Sequence, residues 1–486
     1  MLNRIKSTIK HSIVYGIGTV TTKLIGFILL PLYTKHITVS EYGILGVLEI
    51  TILILSQVLI FGQPNAYMRF YEEDQYRDNR KSTLFTLFIT LFIIAILLNV
   101  FGQLFSGRIA SFFSNPKEYT IYIKLCFAII SLRILNTLFL AVLRIKEKSA
   151  LYAFASVLRI LIILGLNIYF VAFAKIGIRG ILYAYVIGNG VMLFVLFPRM
   201  LIEMIPKFAP STLKAAFIFG FPLIFTSLAG MLLNMGDRYL LKILTNYNEV
   251  GLYNLGYKVA GVLNVLLIQS FSLALLPMAY KMYGKKGDKR YYSKMQTYFV
   301  FVLLWAGLVL ALFGKELIKL LALNPDYWTA YQVVPYIILA YVFSGAKYIA
   351  GLGLYLKRKT KYIAYTTIGA TILNIGLNFL LIPQYRMIGA AIATVISFIA
   401  LYAATYFISN HFYKIPYENI KLLKMLILSI IIFSLSILTG QLHIVSRILL
   451  KFLLVVSFPF ILYSMKFYEP IELERIKQGW HKLTGL

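Results

Sequence analysis

Five basic residues sit deep within long apolar runs, where a charge needs a partner. Counted along helices at about 1.5 Å per residue, Lys23 lies roughly 16 Å from the inward end of its run. Arg133 lies about 15 Å in, and Arg159 and Lys347 about 13 Å, so four cations share one level near mid-membrane. No acid occurs at that depth. Ionisable groups there are costly and are functional candidates by default. They need water, backbone carbonyls or an anion. A diphosphate would serve, because it brings two or more negative charges and suits the paired hydrogen bonds of arginine. Snorkelling, or bonding to carbonyls in a packed bundle, is the alternative, since the sequence does not show which way each helix faces.

The fifth cation has an acid near its level. Lys258 and Glu49 lie about 12 and 10 Å from the opposite, outward face. They could pair and close an outward gate, or Glu49 could pair with Lys23. Asp237-Arg238 stands at an outer helix end, as a further gate candidate or as a local ion pair capping the helix. Pro222, inside an apolar run, removes the bond to the Ile218 carbonyl and is a possible hinge. Signs of enzyme chemistry are missing. There is no phosphate-binding Gly-x4-Gly-Lys-Ser/Thr loop, and His11, His36, His411, His443 and His481 lack metal-ligand spacing. No catalytic residue, metal site or cofactor is expected; a coupling ion (Na+, H+ or an anion) is left open. Cys126 is the single cysteine, which excludes an intrachain disulfide.

The elements that must hold these residues follow from composition. Of 486 residues, 60% are hydrophobic and 14% charged, against about 25% charged in soluble proteins. Small cores could not bury that much apolar surface. Fourteen apolar runs of membrane-crossing length can be placed, the first at 12–33, the eleventh and twelfth at 361–382 and 387–409, and the last at 447–465. The first run is too long for a signal-peptide core and is read as a retained helix. Lysine and arginine total 48 against 18 acids. With a cytoplasmic start, 30 of the 48 fall in inward regions and 13 in outward ones, the positive-inside pattern. The expectation is an all-α integral membrane protein with both termini cytoplasmic.

The two halves repeat. Leu24-Ile25-Gly26 matches Leu228-Ala229-Gly230, and Glu41-Tyr42-Gly43 matches Glu249-Val250-Gly251. Leu164-Gly165-Leu166-Asn167 matches Ile375-Gly376-Leu377-Asn378, and Gly180 matches Gly389. The offsets span six helices, an even number, so the copies run parallel, as in transporters whose substrate site lies between repeats. The expected domains are a lobe at 1–200, a linker at 201–210 and a second lobe at 211–412. Two additional helices at 413–466 and a cytoplasmic tail at 467–486 follow.

The chain resembles the polysaccharide transporters of the multidrug/oligosaccharidyl-lipid/polysaccharide exporter superfamily, the O-antigen and capsule flippases. Glu41-Tyr42-Gly43, Gly220-Phe221-Pro222, Asp237-Arg238-Tyr239-Leu240-Leu241, Glu249-Val250-Gly251-Leu252-Tyr253 and Gly389-Ala390-Ala391 carry the resemblance. It implies an alternately exposed cavity and a polyprenyl-diphosphate-linked oligosaccharide as cargo, moved across the bacterial cytoplasmic membrane. Polymerase and glycosyltransferase partners are possible, and nucleic acid is not expected. Two rivals remain. A drug or cation exporter on the same fold would need an acidic cavity, and a membrane glycosyltransferase or polymerase would need longer external loops.

Overall fold

The computed structural model describes residues 26–111, 115–470 and 474. It is built of helices: α1 (Leu30–His36), α2 (Val39–Leu59), α3 (Gln63–Glu72), α4 (Arg80–Ala110), α5 (Pro116–Ile145) and α6 (Ser149–Asn167). Then come α7 (Gly177–Ile202), α8 (Pro210–Met235), α9 (Asp237–Leu244), α10 (Tyr247–Leu263), α11 (Ser270–Met282) and α12 (Asp288–Leu312). The chain ends with α13 (Gly314–Leu321), α14 (Val334–Ala350), α15 (Leu352–Leu356), α16 (Lys361–Phe412), α17 (Asn419–Leu438) and α18 (Ile444–Ser464).

Among the described residues, twelve helices are long and apolar enough to cross a membrane, against an expectation of fourteen runs. Two differences explain the count. The first run, 12–33, lies mostly outside the described residues, and α16 joins the expected eleventh and twelfth runs in one element. A straight helix of 52 residues would be about 78 Å long, over twice a bilayer core of about 30 Å. The chain instead reverses at Arg386, whose φ of 50° and ψ of −128° are non-helical. A Cβ on Gly389 would sit 2.3 Å from the carbonyl oxygen of Leu381, a residue about 12 Å away in a continuous helix. This element is a helical hairpin. The expected cytoplasmic tail falls largely outside the described residues.

The described residues divide into two compact units. The first takes the chain up to Lys258 together with Ile318–Val333 and Ala364–Ser397. In it α5 packs along α4 and α7, and α6 packs along α7. The second takes Val259–Leu317, Val334–Ile363 and the chain from Phe398, with α12 packed against α14 and α17. There Glu316 accepts a hydrogen bond from Lys451 (2.8 Å) and forms an ion pair with Arg447, whose Nε lies 3.0 Å away, tying α18 to α13.

Within the first unit, repeat-related glycines touch each other's helices. A Cβ on Gly43 would lie 1.9 Å from the Tyr247 carbonyl oxygen, and one on Gly251 would lie 2.1 Å from that of Val39. Gly43 and Gly251 are repeat equivalents, and so are Val39 and Tyr247. The contact is therefore reciprocal, as across a two-fold axis. Thr38 and Glu41 cap α2 reciprocally, the Thr38 N–H donating to Glu41 Oε2 at 2.7 Å, and so fix where that contact begins. Tyr119 and Tyr327 are also repeat equivalents. Tyr327 donates to the Thr38 carbonyl at 2.8 Å, while Tyr119 hydrogen-bonds with Tyr247. Further along, α2 ends at Leu59 and the chain turns at Phe61-Gly62, where Gly62 has a φ of +65°. Gly220 fills that break, and a Cβ on it would lie 2.0 Å from the Phe61 carbonyl oxygen. That packing accounts for the Gly220-Phe221-Pro222 landmark. Helix α8 continues through Pro222 from Pro210 to Met235.

Candidate functional site

Arg133 and Arg159 come together in the first unit. Helices α5 and α6 are consecutive and joined by a tight turn, so residues counted back from that turn reach the same level. Arg133 lies about 18 Å and Arg159 about 15 Å from it. Both are half-buried and within electrostatic reach of each other. The Arg159 guanidinium donates to Asn189 Oδ1 at 3.3 Å, and the Asn189 carbonyl accepts from Asn136 at 2.9 Å. Arg159 Nε is buried without a hydrogen-bond partner. Among the described residues, neither arginine has an acid within ion-pair distance. Two like charges in an apolar bundle, with donors to spare, are an arrangement that an oxyanion would stabilise.

Glu49 and Lys258 also meet, with Lys258 Nζ 3.7 Å from Glu49 Oε2 and both side chains 24% exposed. Lys258 lies 5.0 Å from the centre of the fully buried Tyr42 ring. The second Glu49 oxygen accepts the Tyr185 hydroxyl at 2.8 Å. Tyr185 is in turn within electrostatic reach of Arg133. It therefore stands between the cationic pair and the ion pair. Sequence reasoning missed Tyr185 and Asn189 because neither carries a charge. Their spacing of four was the available signal, since it sets both on one face of α7.

The other sequence candidates take different places. Asp237 is fully buried at the start of α9, where it accepts Tyr253 (2.6 Å), Thr394 (2.7 Å) and Asn378 (3.0 Å). Arg238, 3% exposed, donates to the Asn234 carbonyl at 2.9 Å and lies 4.0 Å from the Tyr257 ring centre. Asp237 is thus a packing hub between helices rather than a cap paired with its neighbour. Lys347 belongs to the second unit, about 14 Å from the end of α15, with its ammonium 5.0 Å from the Tyr348 ring. Among the described residues it has no acid partner. Lys23 lies outside the described residues, and with it the alternative Glu49–Lys23 pair.

The profile of the family described as "Polysaccharide biosynthesis protein" matches residues 8–283, and that of MatE matches residues 222–380. No curated protein sequence matches the chain. Among solved structures, the lipid II flippase MurJ in its inward closed conformation superposes with a TM-score of 0.76. Identity is 16%, over 94% of this chain and 100% of that one. MATE in the straight conformation gives a TM-score of 0.58 at 15% identity, over 84% of this chain and 95% of that one. A MOP superfamily transporter from Pyrococcus furiosus, described as having a binding pocket of reverse polarity, gives 0.58 at 14%, over 84% and 96%. The fold is that of this superfamily, and the chain is a multi-pass membrane protein.

Proposed function

The chain belongs to the polysaccharide biosynthesis protein family, and from that membership we propose that it is a flippase for an undecaprenyl-diphosphate-linked oligosaccharide. It carries this cargo across the bacterial cytoplasmic membrane by alternating access, for O-antigen, capsule or exopolysaccharide synthesis, and it is a transporter rather than an enzyme. Both termini are cytoplasmic. The observation that carries the reading is the Arg133–Arg159 pair, two half-buried guanidinium groups at one depth without an acid among the described residues.

In this reading Arg133 and Arg159 take the diphosphate, and its negative charge replaces the water that such cations would otherwise require. The lobes are residues 1–200 and 211–412, joined by 201–210, with 413–466 as added helices. The reciprocal contact of α2 with α10 closes the outward side. Glu49 and Lys258 lock it, Asp237 and Arg238 hold α9 firm beside it, and Pro222 serves as a hinge in α8. Glycosyltransferases act before the step and a polymerase after it. The MatE match favours a second reading, an exporter of cationic drugs. Such an exporter would need a cavity that attracts cations, and the sign of the charge here opposes it.

The test is export of lipid-linked oligosaccharide in cells dependent on this gene. Arg133→Gln and Arg159→Gln should abolish export while the protein still inserts, and Arg→Lys should keep part of it. Full export by the double Gln variant would overturn the assignment.

A further inference from the structure

One end of the second unit gathers positive charge beyond what its fold requires. Lys285 and Lys286 are exposed on the connection between α11 and α12, Lys289 is exposed in the first turn of α12, and Lys357, Arg358 and Lys359 are exposed between α15 and α16. The two loops form one patch. Lys289 lies 5.2 Å and Lys357 5.5 Å from the same Tyr413 ring, and Lys357 is 5.8 Å from the ring of Tyr283.

The acid among them is already engaged. Asp288 is buried and accepts the Tyr413 hydroxyl (2.6 Å) and the N–H groups of Lys289 (2.6 Å) and Gly284 (3.0 Å). On one edge Arg290 pairs with Glu469 at 3.2 Å. The patch lies where membrane-crossing segments end, at Met282, Leu356 and Phe412, which is headgroup depth. Tyr280 and Tyr283, 54% and 39% exposed, flank it as interfacial tyrosines do.

The repeat supplies a control for necessity. Residues 72–81 make the equivalent connection in the first half with four acids and three bases, whereas residues 281–290 carry five bases and one acid. The same fold is therefore built without a basic loop. We propose that this patch is a docking site for the headgroup of an anionic phospholipid, its phosphate taken by the lysines that share the Tyr413 ring. Cationic clusters at a membrane surface attract such lipids in this way.

The experiment uses the full chain in nanodiscs of phosphatidylglycerol and phosphatidylcholine and measures the preference for phosphatidylglycerol in the lipid retained on extraction. Wild-type protein should prefer phosphatidylglycerol, and Lys285→Gln/Lys289→Gln/Lys357→Gln should lose about fivefold of that preference for each lysine. Lys117→Gln/Lys207→Gln should leave it unchanged. An unchanged preference in the triple variant would overturn the site. So would loss of the wild-type preference on adding millimolar inorganic phosphate, which would mark a site for free phosphate. If the triple variant fails to fold, acetylation of wild-type protein decides. Lys289 and Lys357 should be protected in phosphatidylglycerol and not in phosphatidylcholine, and equal reactivity in both would refute the proposal.

Discussion

An arginine pair inside a helix bundle is held by what it touches, and here the contacts are neutral. Arg159 has the Asn189 side-chain oxygen, a single charge-assisted bond that leaves most of its five donors for another acceptor. Arg133 has Tyr185 within electrostatic reach. The Tyr185 hydroxyl donates a hydrogen bond to Glu49, so Tyr185→Phe should loosen Glu49 without changing any charge. The expected result is reduced export with polyprenyl-diphosphate affinity kept within a few-fold, measured on the purified variant. A collapse of affinity would place Tyr185 on the substrate instead. The ion pair makes a second prediction. Glu49→Lys or Lys258→Glu alone should impair export, and the exchanged double variant should recover part of it. A double variant no better than either single one would mean that the 3.7 Å contact has no part in the cycle. At this scale the charges were legible in the sequence, because a charge in an apolar run stands out. Asn189, Asn136 and Tyr185 were not, because a neutral polar residue gives no depth signal of its own.

Helices approach closely only where side chains allow it, and α2 and α10 meet backbone to backbone at Gly43 and Gly251. Overpacking of this kind typically costs about 1–3 kcal/mol. With a Cβ forced to 1.9 Å from a carbonyl, Gly43→Ala must push α10 away. It should lower the thermal stability of the purified protein and impair export. Gly165→Ala, with nothing within 4 Å of its Cβ, should change neither, and equal behaviour of the two variants would remove the contact from the account. The repeat was legible as matching glycines, but their reason was not. Gly43 and Gly251 touch across the repeat, whereas Gly165 and Gly376 have open space around them. Equivalent spacing looks the same in a sequence whether or not anything presses on it. The α16 hairpin differs in this respect. Its two runs were placed at 361–382 and 387–409 as separate crossings, and the reversal at Arg386 falls in the connection between them.

At the scale of the whole molecule, the family, the helical class and the membrane location were all readable from composition, periodicity and a handful of motifs. Orientation rests on the distribution of lysine and arginine, and it is testable directly. Reporter fusions after Gly287 should read cytoplasmic and fusions near Asn324 external. Reversed signals at both would invert the topology and place the α2–α10 closure on the inward side. The central claim is narrower, that the arginines select a diphosphate. It is tested by equilibrium binding of a polyprenyl diphosphate and of the neutral polyprenol to the purified protein, beside the Arg133→Gln/Arg159→Gln variant. A preference for the diphosphate should be present in the wild type and fall by about tenfold or more for each arginine removed, as expected for hydrogen bonds to charged groups. An undiminished preference in the doubly neutralised protein would contradict the account, whatever the chain proves to export.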